Sequence, residues 1–261
     1  MAERADKHEL YEESVQNVEA ECEFISNTFR ELRNRDALSF REDFCGTASA
    51  ACEWVRQSPQ HTAVGIDIDP EVLDWGRRHR LSQLDPGQQS RLELIEGDVL
   101  TARSRAVDVV GAFNFSYFLF KQRDQLRQYF IAAREALKPD GLFILDAFGG
   151  YEAFEEMKEK TNYDHFTYIW DQARYYPVTG EMLCHIHFKF PDGSKLKKAF
   201  SYDWRLWTLP EIRELLAEAG FRKVTVYWEG TDEDGEGNGE FSPEEHGEAD
   251  AGWIVYLVAE K

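Results

Sequence analysis

The sequence predicts an α/β fold in which a doubly wound, mostly parallel sheet of seven strands carries an antiparallel β insertion after its fifth strand. Three observations predict it. Strand-length apolar runs alternate with helical patterns over the first 147 residues, which is typical of a parallel sheet covered on both faces. The helical periodicity then disappears up to residue 204, apart from one short polar helix. A capped helix and two closing strands complete the chain.

The elements follow one another in a regular order. Strands are predicted at residues 37–44, 63–68, 91–95, 107–113 and 142–147, with helices at 47–57, from 69 onward and at 126–137. After a short polar helix at 151–160, the insertion contributes two or three strands from residues 166–170, 182–190 and 195–204. A helix at 208–220 precedes closing strands at 223–227 and 253–259, which we expect to pair as an antiparallel hairpin at a sheet edge.

Turn and cap residues support these boundaries. Asp69-Pro70-Glu71 combines an N-cap, a proline in the first turn and an acid that complements the helix dipole. Thr208 and Glu211 form a capping box, and Gly220 ends that helix. The chain therefore divides into an N-terminal helical segment at residues 1–36, a core at 37–150 and 208–261, and the insertion at 151–207, which we interpret as a substrate lid.

The N-terminal segment carries one apolar stripe at spacings of three and four. Its members are Val15, Val18, Cys22, Ile25, Phe29 and Leu32. The simplest interpretation is a helix that packs against the domain. A sharper one adds that the N-terminal end, with Tyr11, closes over a cofactor.

Composition limits the class of protein. The 261 residues are 43% apolar and 14% aromatic, which is enough for one large domain or one domain with a lid. No apolar run reaches the roughly 18–20 residues of a membrane helix, and the charged N-terminus lacks the apolar region of a secretory signal. The four cysteines form no C-x-x-C pair. We therefore expect a cytoplasmic protein with reduced thiols and no membrane partner.

The net charge of −19 disfavours a nucleic-acid partner, because binding to phosphate backbones needs a basic face. Residues 229–250 contain ten acidic residues and no Lys or Arg. We interpret this tract as a solvated loop, with a lid that recognises a cationic substrate as the alternative.

Four strand tips carry the residues suited to bind a ligand, since ligands of open α/β sheets lie beyond the carboxyl ends of the strands. Gly46 follows the first strand, Asp67 ends the second, Asp98 follows the third, and residues 114–117 follow the fourth. A carboxylate at Asp67 suits two ribose hydroxyls, and one at Asp98 can accept a hydrogen bond from an adenine amino group. Each residue taken singly has an ordinary structural explanation, and the ordered set is what indicates a nucleoside ligand.

These motifs together resemble those of class I S-adenosylmethionine-dependent methyltransferases. Glu42-Asp-Phe-Cys-Gly-Thr-Ala48 resembles the E/D-x-G-x-G-x-G loop, Val64-Gly-Ile-Asp67 the ribose motif, and Gly97-Asp-Val99 the adenine motif. Leu137–Phe143 and Thr208–Phe221 resemble the later motifs. The match spans most of the chain outside the insertion, and Arg41–Ala48 with Asn114–Tyr117 are similar to a small-molecule subgroup.

The resemblance implies a Rossmann-like methyltransferase fold and S-adenosyl-L-methionine as cofactor, with S-adenosyl-L-homocysteine as product. It implies these cofactor-binding residues: Tyr11, Glu42, Cys45, Gly46, Thr47, Asp67, Ile68, Asp98, Val99 and Asn114. Phe44 and Ala48 depart from the motif, because they stand where it usually has glycine. If either position needs a positive φ, its Cβ costs roughly 1–2 kcal/mol.

Candidates for the chemistry itself are fewer. Tyr117 is a candidate donor or base, with a packed aromatic as the alternative, and His185 is a candidate general base that shares a strand face with His187. Trp170, Arg205 and Trp207 are candidate substrate-binding residues of the insertion, with an aromatic core as the alternative. We expect no metal, since no third ligand accompanies the two histidines. Arg41 is interpreted as one member of an ion pair beneath the site.

The resulting prediction is methyl transfer from S-adenosylmethionine to an oxygen or nitrogen of a small molecule. The N/D-P-P-Y motif of nucleobase and glutamine methylation is missing, which again disfavours nucleic acid. A non-catalytic or regulatory protein that binds the same cofactor is the alternative. A nicotinamide-dependent dehydrogenase is a third hypothesis, weakened by the lack of a G-x-G-x-x-G sequence. The sequence leaves open whether the chain forms a homodimer.

Overall fold

A computed structural model of the protein describes residues 1–232 and 237–261 and contains two β-sheets. The strands of the larger sheet are β1 Ser39–Asp43, β2 Thr62–Asp67, β3 Leu92–Glu96, β4 Val107–Ala112, β5 Leu137–Gly149, β10 Lys223–Thr231, β11 Gly237–Glu244 and β12 Trp253–Glu260. The strands of the smaller sheet are β6 Lys158–Asn162, β7 Thr167–Tyr176, β8 Glu181–Lys189 and β9 Lys195–Arg205.

The larger sheet has the order β3-β2-β1-β4-β5-β12-β10-β11. Its first five strands run parallel, whereas β12, β10 and β11 add antiparallel pairs. The helices are α1 Lys7–Val15, α2 Val18–Arg33, α3 Ser49–Gln57, α4 Pro70–His79, α5 Pro86–Gln89, α6 Arg123–Ala136 and α7 Leu209–Glu218. Side chains of α2, α3 and α4 pack on one face of the sheet and those of α6 and α7 on the other, which confirms the doubly wound α/β fold.

The closing strands pair as an antiparallel hairpin, as the sequence predicts, but the sheet gains an eighth strand. Strand β11 comes from the acidic tract, for which the sequence predicts a solvated loop, and it pairs with β10 at the edge of the sheet. Its residues are nearly all exposed, so no apolar alternation indicates it in the sequence. Residues 233–236 of the tract lie outside the described residues.

The insertion forms four antiparallel strands in the order β6-β7-β8-β9, one more than the upper number predicted. The segment 151–160 is not a helix. A 3₁₀ turn covers Tyr151–Phe154, and strand β6 begins at Lys158. All five residues of β6 are exposed, and such an edge strand lacks the apolar periodicity that predicts strands.

The N-terminal stripe belongs to two helices instead of one continuous helix. Asp6 caps α1 by accepting a hydrogen bond from the His8 N–H at 2.8 Å, and Asn17 caps α2 by accepting one from the Ala20 N–H at 3.4 Å. The chain turns at Gln16, so α1 lies against the smaller sheet while α2 packs on the larger one. Among the described residues, no helix is both long enough and apolar enough to cross a membrane.

The loop after β1 packs unusually close to its neighbours. A Cβ added at Gly76 of α4 would lie 2.4 Å from the Thr47 carbonyl oxygen, and one added at Gly65 of β2 would lie 2.9 Å from the Cys45 Sγ. Both glycines are therefore required by the close approach of this loop to α4 and β2.

We predict that Gly76→Ala destabilises the protein by about 1–3 kcal/mol, although the same change in an open helix would stabilise it. The new methyl group would force α4 away from the loop. Denaturant unfolding monitored by circular dichroism measures the change. Gly252→Ala is the matched control, because a Cβ there has no atom within 4 Å. Equal stability of the two variants would contradict the packing argument.

Candidate functional site

The residues singled out at the four strand tips come together at one edge of the larger sheet. Strands β1 to β4 run parallel, so their carboxyl ends lie side by side. This edge holds Gly46 after β1, Asp67 at the end of β2, Asp98 after β3 and Asn114 after β4. It is the position at which open α/β sheets bind ligands.

The loop after β1 follows a left-handed path at alternate residues. Phe44, Gly46 and Ala48 have φ values of 58°, 52° and 61°. Two non-glycine residues therefore adopt the conformation that favours glycine, at roughly 1–2 kcal/mol each. Burial offsets this cost, since the Phe44 ring packs on Phe120 and Tyr129 and Ala48 is fully buried. The main chain thus follows the left-handed path expected for the glycine-rich motif, although Phe44 and Ala48 replace two of its glycines.

Two carboxylates hold this loop through its main chain. Asp67 accepts a hydrogen bond from the Gly46 N–H at 2.8 Å and, with its other oxygen, one from the Asp69 N–H at 2.9 Å. Buried Glu42 accepts one from the Ala51 N–H at 2.9 Å, and burial raises the pKa of Glu42 well above its usual value. The main chain of Ile68 also donates to this carboxylate, which still has room to accept from a ligand hydroxyl.

The buried thiol of Cys45 faces β2, and the Cys45 N–H donates to the Ile66 carbonyl at 2.9 Å. Arg41, beneath the loop, is fully buried and pairs with Asp43 at 2.7 Å, as an ion pair of the kind predicted for it.

At the tips of β2 and β3, Ile68 and Asp98 are exposed whereas Val99 is buried. Ile68 is 70% exposed beside Asp67, an unusual position for a large apolar side chain unless a flat ligand covers it. Asp98 is exposed and accepts a hydrogen bond from the Leu100 N–H at 2.9 Å. Val99 is 4% exposed and packs in the core, so its side chain does not face the cleft.

Helix α1 lies over the β1 loop and is fastened to it by Glu12. Its carboxylate accepts hydrogen bonds from the hydroxyls of Thr47 and Ser49, and the Arg80 Nε donates to it at 2.7 Å. Tyr11, one residue earlier, is half-buried, and burial raises the pKa of its hydroxyl. The structure thus places Tyr11 where α1 covers the cleft.

The main chain after β4 is held by Asp146 of β5. Asn114 and Phe115 both have a φ of 56°, and their N–H groups donate to the two oxygens of Asp146 at 2.7 and 2.9 Å. Burial raises the pKa of this carboxyl to about 7. A single buried acid therefore fixes two consecutive left-handed residues at the tip of β4.

A second buried acid, Glu21 of α2, lies near Asp146. It is 8% exposed, and burial, with the charge of Asp146 as a smaller cause, raises its pKa to about 8. Among the described residues, no Lys, Arg or His forms an ion pair with either acid. Buried carboxyls without a cation are costly to ionise, so a positively charged ligand near them would stabilise their charged forms.

A cavity of about 420 Å³ opens between the two sheets beyond β5. Phe115 and Trp170 line it, and both also line a small cavity of about 100 Å³ that contains Tyr11 and Asn114. The larger cavity therefore begins at the tip of β4, beside the cofactor edge. Its volume is within the range of small-molecule sites.

The placements of Tyr117 and His185 argue against the catalytic roles suggested for them. Tyr117 is fully buried, and its hydroxyl donates to the Asp146 carbonyl at 2.7 Å, so it is a packed core residue. His185 bonds to Ser201 at 2.8 Å on the face of β8 opposite to Ile186, which lines the small cavity. Neither side chain faces the cleft. For His185 the sequence could not show this, because alternation along a strand does not reveal which of its faces is inward.

Two of the three predicted substrate residues, Arg205 and Trp207, make contacts at the start of α7 and do not line the cavity beyond β5. Arg205 pairs with Glu211 at 2.8 Å and stacks 3.7 Å above the ring of Trp207. Trp207 is 1% exposed, and its indole N–H donates to the Phe120 carbonyl at 3.2 Å. Both therefore fasten the start of α7 instead of lining the cavity beyond β5. Trp170 does line that cavity.

Sequence reasoning missed three acids that organise the site, and two of them had a visible signal. Asp146 interrupts the apolar run of β5, and Glu21 stands on the apolar stripe between Val18 and Cys22. An acid at a buried position needs a reason. Glu12 carries no such signal, because its partners come from residues far along the chain.

Comparisons with known proteins agree with this geometry. Residues 45–143 match a family model described as a methyltransferase domain. No curated protein matches the sequence. An S-adenosylmethionine-dependent methyltransferase from Clostridium acetobutylicum is similar in structure, with a TM-score of 0.71 and 16% identity over 97% of this chain and 96% of that one.

Two further solved structures are similar over nearly their whole length. CalS10, an amino pentose methyltransferase from Micromonospora echinaspora solved with bound S-adenosylmethionine, has a TM-score of 0.67 and 15% identity over 97% of this chain and 95% of its own. KedS8, a sugar N-methyltransferase from Streptoalloteichus, has a TM-score of 0.66 and 16% identity over 98% and 93%. The chain therefore has the Rossmann-like fold of class I methyltransferases.

Glu21→Gln should make the cofactor-free protein more stable than the wild type at pH 8, by about 4 kcal/mol, with a difference below about 1 kcal/mol at pH 5. Burial raises the pKa of Glu21 from 4.5 to about 8. Between these values the unfolded chain has released a proton that the folded chain keeps, so stability falls as the pH rises. Melting temperatures of both proteins from pH 5 to 8 test this, with exposed Glu23→Gln as control. Parallel curves for wild type and Glu21→Gln would refute it.

Tyr117→Phe tests the corrected role of that residue. Loss of the buried hydroxyl leaves the Asp146 carbonyl without its donor, so we expect a loss of about 1 kcal/mol in unfolding free energy. The turnover rate of the folded protein should fall by less than about tenfold, because removing an acid or base typically costs 10²–10⁴-fold. A loss of that size, with stability unchanged, would restore the catalytic role.

Proposed function

We propose that the protein transfers the methyl group of S-adenosylmethionine to an oxygen or nitrogen of a small-molecule acceptor. The observation that carries this proposal is that Phe115 and Trp170 line both cavities, so the small cavity with Tyr11 and Asn114 adjoins the larger one. Asn114 follows β4 at the sheet edge that also holds Gly46 and Asp67, and the larger cavity has room for a small molecule. Methyl transfer needs its two reactants to meet where two such sites adjoin.

The residues of the cleft have distinct roles in this proposal. Asp67 accepts from the ribose hydroxyls, Asp98 from the adenine amino group, and Ile68 covers the adenine ring. Glu21 and Asp146 balance the positive charge of the methionine end. Helix α1, with Tyr11, covers the bound cofactor.

When bound, S-adenosylmethionine supplies an activated methyl group, so the protein mainly has to align the acceptor and exclude water. Asn114 and Phe115 are suited to this because Asp146 fixes their main chain. An aligning site needs no dedicated acid–base pair. The buried position of Tyr117 is therefore compatible with turnover.

The similar structures support a small-molecule acceptor. CalS10 is described as an amino pentose methyltransferase and KedS8 as a sugar N-methyltransferase. At 15–16% identity these proteins share the fold, and the acceptor of this chain has to be judged from its own cavity.

Asp67→Ala should raise the dissociation constant for S-adenosylhomocysteine by about tenfold to a hundredfold, because hydrogen bonds to a carboxylate contribute about 1.5–3 kcal/mol. Isothermal titration calorimetry with the purified protein measures it. Asp74→Ala is the matched control, since the Asp74 side chain is exposed on α4 and its carboxylate pairs with Arg77.

Unchanged affinity in Asp67→Ala would remove Asp67 from the cofactor site. Failure of the wild type to bind S-adenosylmethionine or S-adenosylhomocysteine at high micromolar concentration would overturn the proposed function. Tight binding without methyl transfer to any acceptor in a broad screen would indicate a regulatory protein of the same fold.

A further inference from the structure

We infer that the acceptor is an amine, which the cavity beyond β5 receives in its positively charged form. This inference rests on the proposed function, because it names the substrate class of the same site. The cavity is lined by acidic and aromatic side chains and by a hydrogen-bond acceptor that has no partner among the described residues.

The charged side chains that line this cavity are all acidic. Glu152, Glu159 and Glu229 line it, and among the described lining residues there is no Lys, Arg or His. The carboxylates of Glu152 and Glu159 have no ion pair or hydrogen bond with any described side chain or main chain. An anionic acceptor would be repelled here, and a neutral alcohol would gain little, whereas an ammonium group is attracted by each carboxylate.

Gln172 adds a buried hydrogen-bond acceptor. It is 7% exposed and lines the cavity, and its amide nitrogen donates to the carbonyls of Glu152 and Glu155 at 3.0 and 2.9 Å. Both amide hydrogens are thereby used, and the amide orientation is fixed. The Oε1 atom has no hydrogen-bond partner among the described residues. Because this oxygen belongs to a side chain that lines the cavity and is not itself sealed from solvent, it is available to accept from a ligand N–H or O–H donor.

Aromatic side chains also line the cavity. They belong to Phe115, Phe148, Trp170 and Trp253. Aromatic faces attract ammonium groups, most strongly when the cation is shielded from water. The carboxylates, the Gln172 oxygen and the aromatic rings together suit an organic amine better than an anion or a neutral alcohol.

The geometry also places the amine near the cofactor. Phe115 and Trp170 are common to this cavity and to the small cavity with Asn114. The ammonium group loses one proton to a lining carboxylate or to water. The nitrogen lone pair then forms the new N–CH₃ bond while the C–S bond breaks and its electrons remain on sulfur. The product leaves as a methylated ammonium ion, so charge and atoms balance.

The test compares an amine with its neutral isostere on protein loaded with S-adenosylhomocysteine. Benzylamine and benzyl alcohol are titrated by calorimetry into the wild type and into the double variant Glu152→Gln, Glu159→Gln. We expect the wild type to bind benzylamine at least about tenfold more tightly than benzyl alcohol, and the variant to lose most of that preference.

The matched control is the double variant Glu155→Gln, Glu156→Gln, which removes the same charge from the same segment but from side chains outside the cavity lining. It should keep the wild-type preference. Equal affinity of the wild type for the two probes, or no measurable benzylamine binding, would overturn the amine inference. Because the protein is first shown to bind S-adenosylhomocysteine, this result would leave the proposed function standing. If the wild type does not bind S-adenosylhomocysteine, both the amine inference and the proposed function are overturned.

Discussion

The main-chain path between Phe44 and Ala48 is the constraint on which the rest of the site depends. Three left-handed residues turn the chain from β1 into α3, and this turn points the Gly46 N–H at Asp67. It also brings the Thr47 carbonyl against α4, where only Gly76 fits. Helix α1 in turn is hydrogen-bonded to this region through Glu12 and the hydroxyls of Thr47 and Ser49. A different loop path would remove the hydrogen bond to Asp67, the packing of α4 and the contact with α1 together.

A second constraint is electrostatic. The chain buries Glu21 and Asp146 near each other without a cation among the described residues, and both carboxyls respond with a raised pKa. Without cofactor these groups hold protons near neutral pH. A cation in the cleft would favour their ionised forms, so ligand binding and proton release are linked.

The parts that the sequence predicts well are those with a periodic apolar pattern. Alternating buried strands and helices indicate the parallel sheet, and the acid or glycine at each strand tip indicates the cofactor edge. Strands β6 and β11 lack such a pattern because nearly all of their residues are exposed. Tyr117 donates to the Asp146 carbonyl, 29 positions away, and Arg205 also donates to the Lys121 carbonyl at 3.2 Å, 84 positions away. Local sequence cannot reveal such contacts. Asp146 and Glu21 could have been found, since each is an acid at a position where apolar residues are expected.

The smaller sheet separates two sets of residues by simple alternation. Glu159 and Trp170 are register partners that line the cavity, whereas their neighbours Lys158 and Asp171 pair on the opposite face at 2.7 Å. His187 joins that outer pair at 3.0 Å. In the proposed function the residues of β6 and β7 that line the cavity contact the acceptor, while the opposite face carries the ion pairs that hold the sheet together. Because none of these inward residues contacts the loop between Phe44 and Ala48 through a hydrogen bond or ion pair, acceptor choice can be altered on the smaller sheet while the cofactor edge stays intact.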